Sequence, residues 1–288
     1  MNLFLYLVCT IIWGSTWLVI TFQVDSASPI TSVFWRFLLS AAILFAFCFA
    51  TKKDLRYSKK DHYWFAAQGV FLFSVNYMLT YLSEMMVSSG LTALGFTAII
   101  YYNMFGMRFF FKKPISSKVI WGSLLGLAGI SLIFLNELVK FESSSKTLWG
   151  FALSLIATMS ASCGNMVSQR SYRKGIPVVI ANTWGMFYGS CFTLLVALIL
   201  QHDLTIPLTT KFLGSLFYLS LFGSVFAFGA YLTLAGRIGA EKAAYTSVLS
   251  PVIALTLSSF FEDFHWTPYI LIGVALCLAG NVLTLARK

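Results

Sequence analysis

The chain has 288 residues, of which 58% are hydrophobic and only 10% charged, and its mean hydropathy is +0.81. That balance excludes a soluble globular domain and puts the chain in the membrane class. Its formal net charge of +10 would suit nucleic acid as well as a membrane face, so the placement of the basic residues decides between them.

A membrane helix needs about 20 apolar residues to cross about 30 Å of hydrocarbon. Ten stretches qualify in chain order: 3–22, 31–50, 63–82, 91–111, 119–135, 148–168, 178–200, 212–234, 243–261 and 266–286. The expected fold class is therefore all-α integral membrane, with ten transmembrane helices and almost no residues left for a soluble domain. Any site must lie inside the helix bundle.

Span one carries Trp13-Gly14-Ser15-Thr16-Trp17 at its middle. With no basic flank before it and no small-residue cleavage pattern after it, it reads as a helix and not a signal peptide. Span two opens on Trp35-Arg36-Phe37. An arginine there either snorkels to the interface and bonds helix carbonyls, or holds a substrate carboxylate. Span three sets Asn76, Thr80 and Glu84 four residues apart on one face, with Tyr77 and Tyr81 beside them. Glu84 falls at a predicted helix end, either as an ordinary solvated carboxylate or as a titrating group.

Thr97 and Tyr101 share a face of span four, and Thr158, Ser162, Asn165 and Gln169 stripe span six. Tyr188 on span seven and Tyr245 on span nine add aromatic groups to the inner faces. Span nine also holds Pro251, the only proline away from a loop or a helix start, which frees a backbone carbonyl near Ser247. On spans five and ten, Gly122, Gly126, Gly129, Gly273, Cys277 and Gly280 give small residues at three- and four-residue spacing. Such faces let backbones approach closely and read as scaffold.

From these positions Trp13, Asn76, Tyr77, Tyr101, Asn165, Tyr188 and Tyr245 are the candidate substrate-binding residues. Arg36, Glu84 and Pro251 are candidates for gating or coupling. Against each stands ordinary helix packing, or an interhelical hydrogen bond worth about 0.6 kcal/mol on average.

Charge placement follows the alternation of spans. One face receives Lys52, Lys53, Arg56, Lys59 and Lys60, then Arg108, Lys112, Lys113 and Lys118, then Arg170, Arg173 and Lys174, then Arg237, Lys242, Arg287 and Lys288. The other face holds only Lys140, Lys146 and Lys211, with Arg36 near the outer end of span two, and it collects Asp25, Glu84, Glu137, Glu142, Asp203, Glu262 and Asp263. The positive-inside rule makes the first face cytoplasmic, with both termini on it, and leaves no basic footprint for nucleic acid.

The chain is also written twice, about 150 residues apart. Gly14 recurs as Gly164, Gly90 as Gly239, Thr97 as Thr246, Gly122 as Gly273, and Leu127-Ala128-Gly129 as Leu278-Ala279-Gly280. The expected domains are a first five-helix repeat over 1–137, a connecting loop over 138–147 and a second five-helix repeat over 148–288. An odd number of spans per copy makes the two copies inverted, an arrangement typical of alternating-access transporters.

With ten spans, two halves and short loops, the chain resembles the EamA-type permeases of the drug/metabolite transporter superfamily. The motifs carrying the resemblance are Trp13-Gly14-Ser15-Thr16-Trp17, Trp35-Arg36-Phe37 and the run from Ala244 to Val252 with Pro251 inside it. One position departs from the pattern: Lys112-Lys113-Pro114 closes span four where such halves often carry an acid. The resemblance implies a cavity between spans one, three and four and their partners six, eight and nine. It also implies a secondary transporter, an exporter of amino acids or similar small metabolites across the bacterial inner membrane, as a monomer or homodimer. Uptake or exchange of a nucleoside-like metabolite is the alternative.

An enzyme is not expected. His62, His202 and His265 lie in predicted loops, and no nucleophile-elbow or zincin motif occurs. The cysteines Cys9, Cys48, Cys163, Cys191 and Cys277 fall inside spans without metal-ligand spacing, so no cofactor or metal is expected. Spans one and six carry no acidic residue, which argues against proton antiport of cationic drugs.

Overall fold

The computed structural model describes residues 1–24, 27–87, 89–135, 139, 145–261 and 267–285. Asp25, Glu137, Lys140, Glu142, Glu262, Asp263, His265, Arg287 and Lys288 lie outside the described residues, as does the Trp17 side chain.

Every described element is helical: α1 (Asn2–Val24), α2 (Pro29–Ala50), α3 (Lys59–Glu84), α4 (Ser89–Phe96), α5 (Ile99–Phe111) and α6 (Ser117–Ile133) come first. After them come α7 (Ser145–Arg173), α8 (Val178–Ile199), α9 (Thr210–Ile238), α10 (Ala240–Ala243), α11 (Thr246–Phe261) and α12 (Pro268–Leu285). Six of these, α2, α3, α7, α8, α9 and α12, are long and apolar enough to cross a membrane. The apolar part of α1 and all of α6 are shorter.

Local chemistry sets the boundaries. Ser28 caps α2 by accepting from the Thr31 amide at 3.2 Å, with Pro29 at the first helical position. Ser58 caps α3, accepting from the Asp61 amide at 3.2 Å while its hydroxyl donates to the Asp61 carboxylate at 2.7 Å. Thr209 caps α9 through the Phe212 amide. Lys112 closes α5 in the left-handed region at φ 53°. The loop before α9 is tied to α2: Thr31 Oγ1 donates to the Asp203 carbonyl and Trp35 Nε1 to the Leu204 carbonyl. In that loop the Thr205 hydroxyl and amide both donate to the Asp203 side chain and hold its carboxyl below the usual carboxylate range.

Two long helices contain widened π turns, Gly69–Val75 in α3 and Leu219–Phe226 in α9. Such turns leave carbonyls available to partners off the helix. The expected single helix over 91–111 is instead two, because the amides of Thr97, Ala98 and Ile100 bond three residues back and the Thr97 hydroxyl takes the Leu94 carbonyl. A matching break precedes α11. There the Tyr245, Ser247 and Val248 amides also bond three residues back, and the Thr246 hydroxyl takes the Ala243 carbonyl.

Packing runs between the first and second parts of the chain: α6 lies on α12, α2 on α8, α1 on α11 and α9, and α3 on α7 and α8. Glycines permit the closest approaches. A Cβ on Gly129 would sit 2.5 Å from the Gly273 carbonyl, and one on Gly122 2.7 Å from that of Gly280. The small faces of spans five and ten therefore meet each other. Large apolar side chains such as Phe4, Phe105, Phe109, Leu198, Phe217 and Leu271 are exposed on the outside, where lipid would cover them. Trp121 and Trp149 are exposed near helix starts, as interface anchors would be.

Candidate functional site

A cavity of about 130 Å³ sits between α1, α2, α3, α4, α5, α7, α9 and α11. Its walls are mostly aromatic and apolar, broken by a few polar groups on named helix faces. On α1, the Trp13 ring packs on Phe228 and Tyr231 at 5.2 and 5.0 Å, and its Nε1 donates to the Gly223 carbonyl in the π turn of α9. The widened turn thus orients the indole. From α2, Ser40 donates to Ser220 of the same turn, and Ser220 donates to the Arg36 carbonyl.

Arg36 is only 1% exposed. Its Nε donates to Ser224 Oγ at 2.9 Å, and its guanidinium lies over the rings of Tyr77 at 4.9 Å and Phe37 at 5.6 Å. It does not snorkel: the side chain points inward and is sealed by aromatic rings and the π turn of α9. Gly223 backs it closely enough that a Cβ there would lie 3.1 Å from Arg36 Nη2.

The α3 stripe forms another wall. Asn76, Tyr77, Thr80, Tyr81 and Glu84 all border the cavity. Thr80 returns its hydroxyl to the Asn76 carbonyl, while Asn76 Nδ2 reaches the Leu72 carbonyl at 3.3 Å. From α7, Asn165 Nδ2 bonds the Tyr231 hydroxyl at 3.0 Å and Asn103 Oδ1 at 3.3 Å. Ser247, Ser250 and Pro251 of α11 complete the lining. Five lining residues carry a buried polar atom without a protein partner: Arg36 Nη1, Asn76 Oδ1, Tyr81 OH, Asn165 Oδ1 and Ser250 Oγ. Buried polar groups ordinarily find partners, and five of the fifteen such atoms among the described residues belong to the lining of this one cavity.

From Asn165 polar contacts continue through Asn103 toward the Lys/Arg-rich end. Asn103, fully buried, passes its amide to the Ala240 carbonyl at 3.2 Å. Beyond it Lys113, after α5, pairs with Glu241 of α10 at 2.5 Å and also reaches the Ile238 carbonyl.

Of the ten residues singled out from sequence, Trp13, Arg36, Asn76, Tyr77, Glu84, Asn165 and Pro251 come together on this cavity. The other three are elsewhere. Tyr188 hydrogen-bonds His62 at 2.9 Å and stacks on Trp184, in the satellite cluster between α2, α3 and α8. Tyr245 is fully buried against the α6–α12 seam, where a Cβ on Gly122 would lie 2.9 Å from its hydroxyl. Tyr101 lies just after the break before α5, its hydroxyl buried and without a partner.

Sequence reasoning missed Asn103, Tyr231 and Phe228. An asparagine inside an apolar span was the available signal for Asn103, and Tyr231 repeats Tyr81 at the internal spacing. Replacing Asn165 with alanine removes the Tyr231 partner and should destabilise the protein by about 0.5–2 kcal/mol. A thermal melt of the purified variant measures it, and an unshifted melt would show the bond to be dispensable. Among the described residues, no group of three or more His, Cys, Asp or Glu is placed to hold a metal ion.

A bundle of apolar helices around an internal cavity with inward-facing polar groups defines a multi-pass membrane protein. The EamA-like transporter family matches residues 1–135 and again 148–286, and the chain belongs to that family. It is 30% identical over 253 residues to the uncharacterized inner membrane transporter YedA of Escherichia coli K12, covering 86% of this chain and 79% of that one. It is 25% identical to the uncharacterized transporter YoaV of Bacillus subtilis, across 97% and 96% of the two chains. An Escherichia coli protein named "Probable amino-acid metabolite efflux pump" is 26% identical across 96% and 92%. A protein of known crystal structure shares the fold with a TM-score of 0.81 at 15% identity, covering 99% of this chain and 96% of that one.

Proposed function

We propose that the chain is a secondary transporter that exports amino acids or similar small metabolites across the inner membrane by alternating access. In this reading ten spans form two inverted five-helix repeats, with both termini cytoplasmic. The observation that carries it is the concentration of unpartnered polar atoms on a cavity between the two halves. The double family match supports the duplication, as do the paired π turns and the paired breaks at Thr97 and Thr246. The similar efflux pump supports the substrate class and direction. Trp13, Asn76, Tyr77 and Asn165 are the residues assigned to solute contact, and Pro251 frees the Ser247 carbonyl on the same wall.

The test compares metabolites inside and outside bacteria expressing the wild type or the Asn76→Ala/Asn165→Ala variant, matched for folded protein. Export predicts a solute depleted inside and enriched outside with the wild type alone. Accumulation inside would reverse the direction and favour uptake. Activity retained in the double variant would remove the site assignment.

A further inference from the structure

Among the described residues the cavity wall carries one cation, Arg36, and the groups against it are neutral: the Ser224 hydroxyl, the Tyr81 hydroxyl beside the guanidinium, and the aromatic faces of Tyr77 and Phe37. The ion pairs of the described residues join Lys113 to Glu241, and Arg170 and Lys174 to Asp61; Arg36 takes part in none. A guanidinium buried to 1% exposure without a counter-ion is unfavourable, and hydroxyl and cation–π contacts offset only part of the lost hydration. Its Nε is committed to Ser224 and the Tyr81 hydroxyl lies close to the guanidinium, whereas Nη1 is buried without a hydrogen-bond partner in a residue that lines the cavity. A guanidinium with one free arm is suited to an oxyanion, most of all a carboxylate, which accepts a charge-assisted N–H bond and neutralises the charge.

We infer that Arg36 is the carboxylate anchor of the cavity, and that the protein selects organic monocarboxylates, amino acids among them, by that group. This deepens the export reading and rests on its assignment of the cavity as the solute site. Phosphorylated solutes are disfavoured because their second negative charge finds no second cation on the wall. The rest of the solute meets Trp13, Tyr77 and Phe228, so an apolar or aromatic body suits it. Glycine at 223 is part of the device, because its missing side chain leaves room for the guanidinium beside the π turn.

The experiment measures binding to the purified full chain in lipid nanodiscs. The probes are matched pairs that differ only in charge: L-phenylalanine with L-phenylalaninamide, L-leucine with L-leucinamide, and 3-phenylpropionate with 3-phenylpropionamide. The wild type is expected to prefer the carboxylate of at least one pair by about tenfold or more, the size of one charge-assisted hydrogen bond. Arg36→Gln should abolish that preference, and Arg36→Lys should keep the preference with weaker binding. Ser224→Ala loosens the guanidinium without removing it and should also keep the preference. A structural role alone would lower affinity for acid and amide together, so equal preference in wild type and Arg36→Gln overturns the inference. So does a wild type that binds no carboxylate of the panel, or binds acid and amide alike. If Arg36→Gln does not fold, an unchanged carboxylate affinity in Arg36→Lys overturns it instead. Carboxylate binding that survives while proteoliposomes move no solute would sustain the anchor and remove the transport reading.

Discussion

Gly280→Leu should leave little or no folded protein, whereas Gly214→Ala should be neutral. On Gly280 even a single Cβ would lie 2.5 Å from the Gly122 carbonyl and 3.0 Å from the Gly126 amide. Both are backbone atoms on α6, so no side chain can rotate away and the two helices must separate. In lipid, helix association depends on such close packing because apolar surface gains little by leaving the tails. Separation would also disturb the Gly129–Gly273 contact and the Cys277 thiol that reaches the Gly126 carbonyl at 3.7 Å. Overpacking alone costs about 1–3 kcal/mol, and here the loss extends along the whole seam. Gly214 has nothing within 4 Å of its added Cβ, which makes it the matched control. Fluorescence-detected size exclusion after a heating series reads both variants. A monodisperse Gly280→Leu protein with an unshifted melt would mean that α6 and α12 do not pack as described.

The same seam shows what a sequence can carry. Gly122, Gly129, Gly273 and Gly280 were legible as small faces because helix periodicity and residue size are local properties, and the structure sets those faces against each other. Polar stripes were legible for the same reason: Asn76, Thr80 and Glu84 share a wall because four-residue spacing puts them there. The depth and direction of Arg36 were not legible. Snorkelling and inward burial use the same residue in the same place, and the choice depends on Ser224 and Gly223, which are 188 residues away in the first case. Aromatic residues were least legible. Tyr188 and Tyr231 both sit inside apolar runs, yet one stacks on Trp184 in a satellite cluster and the other bonds Asn165 at the cavity. Nor could apolar runs reveal the π turns at Gly69–Val75 and Leu219–Phe226, because widening a turn changes carbonyl partners without changing hydropathy.

Lys113→Ala is expected to loosen the Lys/Arg-rich end of the bundle. Lys113 follows α5 and Glu241 lies on α10, so their 2.5 Å ion pair joins the first half of the chain to the second. The Glu241 side chain is 7% exposed and that of Lys113 33%. Removing the lysine leaves a buried carboxylate without its cation, a change that costs about 3–5 kcal/mol for a fully buried pair. Partial exposure of Lys113 reduces this, and about 2 kcal/mol would already raise local opening roughly 30-fold. The amides of Gly239, Ala243 and Ala244 report it, since they donate to the Ala235, Gly239 and Ala240 carbonyls at the end of α9 and in α10. Hydrogen exchange over 239–246 should therefore quicken in Lys113→Ala, while exchange in α6 and α12 stays unchanged. Lys113→Met combined with Glu241→Met removes the unpaired charge and should restore slow exchange. Rapid exchange in both variants would assign the effect to lost packing, and slow exchange in both would mean that Asn103, through the Ala240 carbonyl, holds this end closed by itself. Under the proposed export reading this end faces the cytoplasm and must open for a solute to enter, so the ion pair would set how often it does.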